Sequence, residues 1–259
     1  MRIKNWCWAL LIVSVFAAGC SGSTAKQDGS APDSAGKNQN SKGDAVSAEK
    51  VLLPQELVSD ATKAIGLLQT QSITYSTKSS TGQTGETTRT IRLEKNDKGE
   101  YIVHCTWTGQ LAVEGDEFYK ITKDGLLEFR ALDDDIKPPY IYLPAGMTPG
   151  KTWKSTYGFD NAKTLGKVSL EQTAKIAGTE KVTVPMGTYD AVVLEETSKM
   201  TGAQFSINTH AKTWFAMNVG FIQSKIEWNG TKSDAAGKKQ PLHETLEFKA
   251  VKMTKEENR

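Results

Sequence analysis

The seven residues Tyr101-Ile102-Val103-His104-Cys105-Thr106-Trp107 alternate between two faces. Tyr101, Val103, Cys105 and Trp107 share one side of an extended chain, and Ile102, His104 and Thr106 share the other. The same period of two returns in Val168, Leu170, Gln172, Ala174 and Ile176, and again in Leu242, Glu244, Leu246 and Phe248. Turn signals separate such runs at Gly82 to Gly85, Asp97 to Gly99, Glu114-Gly115, Asp124-Gly125, Pro185 to Gly187 and Thr201-Gly202. Strands joined by loops this short are antiparallel neighbours, because a parallel crossover needs a dozen or more residues. The reading is an all-β domain, a mainly antiparallel meander of about ten strands, closed as a strongly curved sheet or a two-layer sandwich. Ahead of the strands the period is near four: Leu53, Leu57, Ala61, Ile65 and Leu68, with Pro54 at an early helical position. That spacing predicts one N-terminal helix over 54–69.

The chain begins MRIKNWCWALLIVSVFAAGC. Arg2 and Lys4 form a short positive region, and the apolar run from Trp6 to Ala18 is shorter than the roughly 20 residues of a spanning helix. A charged start and a small-residue end are the marks of a secretory signal. Ala17-Ala18-Gly19-Cys20 resembles the lipobox of bacterial lipoproteins, with Ala17 in place of the usual leucine. The resemblance implies cleavage before Cys20, lipid on Cys20 and attachment to a membrane. Residues 1–19 are then a lipoprotein signal peptide, 20–49 a lipidated cysteine and tether, and 50–259 a single β-rich domain. From Ser21 to Glu49 the only large aliphatic side chain is Val46, too little apolar surface to offset ordering entropy; such a tether reaches roughly 30 Å. By resemblance to Gram-negative sorting, Ser21 rather than aspartate after the cysteine favours the outer membrane of the cell envelope.

Removing Arg2 and Lys4 from the 32 basic residues leaves them equal to the 30 acidic ones. That balance lacks the basic footprint a phosphate backbone demands, so nucleic acid is excluded as a partner. With Cys7 lost in the signal and Cys20 lipidated, Cys105 has no thiol to pair with, and the domain must stand on its core.

Several residue groups invite a chemical reading and fail it. Ala145 to Thr152 fits a relaxed phosphate-loop pattern, but Trp153, Ser155, Tyr157 and Phe159 continue as a strand where a helix is required. His104 and Cys105 point to opposite faces, as do Glu195 and Glu196, so neither pair works as a unit. Asp133, Asp134 and Asp135 lack the spacing of a calcium loop, and no Gly-x-Ser-x-Gly elbow occurs. The expectation is a protein without enzymatic activity, metal or cofactor.

Three segments, LPAGMTPGKTW (143–153), EKVTVPMGTYDAVVLE (180–195) and KTWFAMNVGFIQSKIE (212–227), resemble in order the TapB-like family of bacterial envelope proteins, a domain of unknown function (3108-like). The resemblance implies an all-β envelope domain and supplies no catalytic residue. Two functions are open: a binding module that holds an apolar ligand or lipid on its curved sheet, or a non-catalytic structural or assembly component of the envelope. For the first, the expected lining residues are Trp107, Trp153, Trp214 and Trp228, with Tyr157 and Phe205 beside them.

Overall fold

The computed structural model describes residues 51–110, 115–131, 134–161, 166–234 and 236–255. The expectations for the signal, Cys20 and the tether lie outside them. Twelve strands follow in chain order: β1 (Thr70–Ser79), β2 (Thr84–Lys95), β3 (Tyr101–Gly109), β4 (Glu117–Thr122), β5 (Gly125–Ala131), β6 (Asp134–Pro144), β7 (Thr152–Asn161), β8 (Gly166–Val184), β9 (Gly187–Gly202), β10 (Phe205–Ala216), β11 (Gly220–Ser233) and β12 (Lys239–Lys255). Each pairs antiparallel with the next, and β1 pairs with β12, from Thr70↔Lys255 to Ser79↔Leu246. The result is a closed barrel, which corrects the expected open curved sheet or two-layer sandwich. Closure rests on a pairing between the two ends of the domain that no local alternation announces. It removes both sheet edges and satisfies their backbone groups.

The predicted helix is also corrected. A 3-10 turn at Gln55–Leu57 is followed by an extended Val58 and a five-residue helix, α1 (Asp60–Ala64). Ser59 and Thr62 start α1 by reciprocal capping: the Thr62 amide donates to Ser59 Oγ at 3.4 Å, and the Ser59 amide donates to Thr62 Oγ1 at 2.9 Å. Gly66 ends the segment at φ +83°, where a Cβ would lie 2.3 Å from the Val219 carbonyl oxygen. Ala61, Ala64 and Ile65 are completely buried, and burying Ile65 alone contributes roughly 1.5–3 kcal/mol. Backbone bonds seat α1 across one barrel end. The Asp60 amide donates to Ala145 O (2.9 Å) in the β6–β7 turn, and the Asn218 amide of the β10–β11 turn donates to Lys63 O (2.8 Å). α1 is therefore a plug.

Along the strands the alternation is clean where only one face is covered. On β8, Val168, Leu170, Ala174 and Ile176 are buried, whereas Lys167, Glu171 and Lys175 are exposed. Charged outward residues continue on β9 (Glu195, Lys199) and β11 (Lys225). A lipid-facing barrel carries an apolar band there instead, so this exterior suits water. Burial becomes continuous over 213–216 and 220–224, which requires cover on both faces. The long β8–β9 hairpin supplies it. Its register shifts between Ile176 and Gly178, and at its tip the Met186 amide donates to Ala250 O on β12 at 3.1 Å. The hairpin thus folds back over β10 and β11. One seam is thin: β6 and β7 are in register only at Lys137↔Gly158 among the described residues.

Candidate functional site

The lumen is layered. Next to the plug lies an aromatic layer in which Tyr75 (β1) stacks on Phe221 (β11), ring centres 4.4 Å apart and 9° from parallel, with Phe248 (β12) edge-on to both. The Tyr75 hydroxyl donates to Phe221 O at 3.0 Å. Arg89 (β2), only 3% exposed, lies 5.7 Å from the ring centres of Trp107 and Phe221. At the far end a second apolar cluster gathers Ile136, Tyr157, Val168, Leu170, Met200, Ile207 and Leu242. Between these layers is a cavity of about 270 Å³. A twelve-stranded barrel is wider than the eight-stranded kind that side chains just fill, and even this density of rings leaves space.

One wall of the cavity is apolar, built from Leu170, Ile226, Trp228, Leu246 and Phe248. The other is polar, built from Glu117 and Tyr119 (β4), Glu128 (β5), Tyr140 and Tyr142 (β6), Gln172 (β8) and Glu196 (β9). Arg89 donates from Nη2 to Glu117 Oε2 at 3.1 Å, and the Tyr119 hydroxyl donates to the same oxygen at 2.9 Å. The Tyr140 hydroxyl donates to Glu128 Oε2, and the Tyr140 ring stacks on Tyr157 at 3.9 Å. Gln172 Nε2 donates to Glu196 Oε1 at 2.5 Å, while the Gln172 amide oxygen is buried without a hydrogen-bond partner. Burial, reinforced by the Glu117 charge and opposed by the Tyr140 hydroxyl, pushes the Glu128 carboxyl up to about 8. Burial raises Glu196 to about 7 against the pull of Gln172. Desolvation disfavours the charged form of each.

Of the four tryptophans expected to line a site, Trp228 lines the cavity. Trp107 packs in the aromatic layer at 6.2 Å from both Tyr75 and Phe221. Trp153 donates from Nε1 to Ile141 O at 3.0 Å, tying β7 to β6. Trp214 is buried on the opposite face of β10, bonded through Nε1 to Glu180 Oε2 at 2.7 Å in the overhanging hairpin. Tyr157 lines the cavity and Phe205 packs against the far cluster. The polar wall was missed, although strand parity carries its signal: Glu196 and Ser198 lie between Leu194 and Met200 on one face, and Glu128 lies two residues from Leu126. A carboxylate on an otherwise apolar face marks either a partner or a cavity.

Elsewhere the chemistry is structural. Cys105 is fully buried, and burial pushes its thiol up to about 12. His104 stacks on Phe118 on the outer face and bonds Asp116 (2.8 Å) and Glu94 (2.9 Å). Burial opposes its charge, but these two bonds outweigh that and raise its pKa. Lys151 of the phosphate-loop look-alike donates to Gly146 O at 3.0 Å, and Thr152 opens strand β7. No group of three His, Cys, Asp or Glu side chains converges as a metal site among the described residues. Asp133 lies outside them.

Fold and cavity together define a closed, water-facing β-barrel with an amphipathic chamber. The DUF3108-like family model matches residues 69–233, and the chain belongs to that family. No curated protein matches it. Among solved structures it is similar to an exported protein with a YmcC-like fold from Bacteroides fragilis, at 13% identity and TM-score 0.46 over 71% of this chain and 94% of that one. A lipoprotein from Parabacteroides distasonis is 12% identical with TM-score 0.48, over 75% and 100%. The lipoprotein YmcC from Escherichia coli is 13% identical with TM-score 0.31, over 74% and 88%.

Proposed function

We propose that this protein is an envelope lipoprotein, tethered by lipid on Cys20 to the outer membrane of a Gram-negative host, whose barrel holds a small apolar ligand without transforming it. The observation that carries the reading is the cavity of about 270 Å³ with Trp228, Leu246 and Phe248 along one wall. Interiors normally pack as densely as organic crystals, so a chamber of this size with an apolar wall is a place for a guest. The lining hydroxyls of Ser198 and Thr209 have no histidine beside them on the inner wall, since His210 is on the exposed face. The alternative of edge-strand assembly loses support, because among the described residues the closed ladder offers no free strand.

The test uses the chain from Ser21 to Arg259, titrated with an environment-sensitive apolar dye. Saturable binding is expected, weakened in Trp228→Ala and unchanged in Lys199→Ala on the exterior. Absence of saturable binding sinks the reading. The tether is tested separately: Cys20→Ser in the full chain should abolish lipid attachment, and lipid still carried by that variant would contradict it.

A further inference from the structure

The cavity is apolar on one wall only, and the other wall has more negative groups than positive ones. We propose that its occupant is an amphiphile with a single ammonium head, seated among Glu128, Glu196 and Gln172 with its chain against Trp228, Leu246 and Phe248. This rests on the reading that the lumen binds an apolar ligand, and adds the chemistry of the ligand's head.

Three carboxylates line the chamber: Glu117, Glu128 and Glu196. The guanidinium beside them, Arg89, is held by Glu117 at 3.1 Å. The partner of Glu128 is a phenol hydroxyl and that of Glu196 is an amide, so neither bond brings a cation. The remaining titratable groups lining the cavity are the phenols of Tyr119 on β4, Tyr142 on β6 and Tyr157 on β7, with the neutral hydroxyls of Ser198 and Thr209 beside them. Glu244 on β12 and Lys232 on β11 interact with each other. One acceptor lining the chamber, the Gln172 amide oxygen, is buried without a hydrogen-bond partner; Arg89 Nε and Trp107 Nε1 in the aromatic layer also lack one, but both are donors and point to no cation. Such atoms are rare in folded proteins and call for an explanation. An ammonium group supplies three donors and no acceptor. Its three donors match the three acceptors this wall offers, the Gln172 oxygen and the two carboxylates without a cationic partner, whereas a hydroxyl brings one donor. A carboxylate head would add a further negative charge to a wall already rich in them.

Burial makes Glu128 and Glu196 hold their protons to about pH 8 and about pH 7. An ammonium favours their ionised forms. Its binding therefore releases protons, and its affinity rises with pH across this range.

Decylamine, decanol and decanoate share a tail and differ in head. Titrated calorimetrically into the chain from Ser21 onward, decylamine is expected to bind at least about tenfold tighter than decanol at about pH 8.5. Decanoate should bind weakest. Lowering the pH to about 6 should erase most of the amine's advantage, a readout that needs no variant. Glu196→Gln and Glu128→Gln should each narrow the ratio of decylamine to decanol affinity at about pH 8.5, and a ratio unchanged in both variants overturns the proposed seat. Decanol matching decylamine at every pH, or decanoate binding best, overturns the ammonium head and leaves the apolar chamber standing. Failure of all three to bind overturns the chamber itself.

Discussion

Arg89 shows how one side chain is held where charge is expensive. It is buried between two aromatic faces and bonded to Glu117, which in turn accepts from Tyr119. Removing one partner of a buried ion pair costs more than the pair contributes, because the remaining charge is left uncompensated. Arg89→Ala should lower unfolding free energy by about 3–5 kcal/mol in urea denaturation. A loss within about 0.5 kcal/mol would mean that Glu117 finds another partner or takes up a proton. Nothing in the local sequence around Arg89 announces this role. Its neighbours Thr87 and Ile91 on the same strand face are buried, so strand parity places Arg89 inward, but which groups compensate its charge is known only from the opposite wall.

At the scale of elements, the legible part was the alternation. Val103, Cys105, Leu170, Ile176, Leu246 and Phe248 are all buried as their spacing predicted. Turn signals also fell at strand junctions, such as Asp97 to Gly99 between β2 and β3 and Pro185 to Gly187 between β8 and β9. The helix was overextended because Leu53, Leu57, Ala61 and Ile65 keep helical spacing while the chain between them breaks. The break was written in Ser59 and Thr62, which cap, and in Gly66, which terminates. Closure was not legible, since it depends on β1 meeting β12. The thin β6–β7 seam carries the element-scale prediction. Pro138 and Pro139 donate no backbone bond there, and the seam depends on Trp153 bonding Ile141 and on Tyr140 stacking on Tyr157. Few backbone bonds lower the free energy of local opening. Amide exchange should therefore be faster in 137–142 than in the long β8–β9 ladder, and faster still in Trp153→Phe. Equal protection across the barrel would contradict a weak seam.

For the whole molecule, the chamber's polar wall links stability to pH. Glu128 and Glu196 ionise at about 8 and about 7 in the fold, against an ordinary value of 4.5. Between those values the folded chain binds more protons than the unfolded one, so stability falls as pH rises through that window. His104 acts in the same direction: its raised pKa contributes stability at low pH that is lost as pH rises through it. The ligand-free chain should melt lower at about pH 8 than at about pH 6, and Glu196→Gln should flatten the difference. A melting temperature that rises over this interval would refute the buried carboxylates. A bound ammonium amphiphile should restore the stability lost at the higher pH by binding only the folded state.

A guest is expected in the barrel's interior rather than on its exterior. An ω-brominated fatty alcohol bound to the crystallised chain from Ser21 onward tests this directly, because bromine is located by its anomalous scattering. A bromine peak is expected inside the lumen, in contact with Trp228, Phe248 or Leu170. A peak confined to the outer surface, or an interior with no peak and those side chains collapsed into the space, would contradict it.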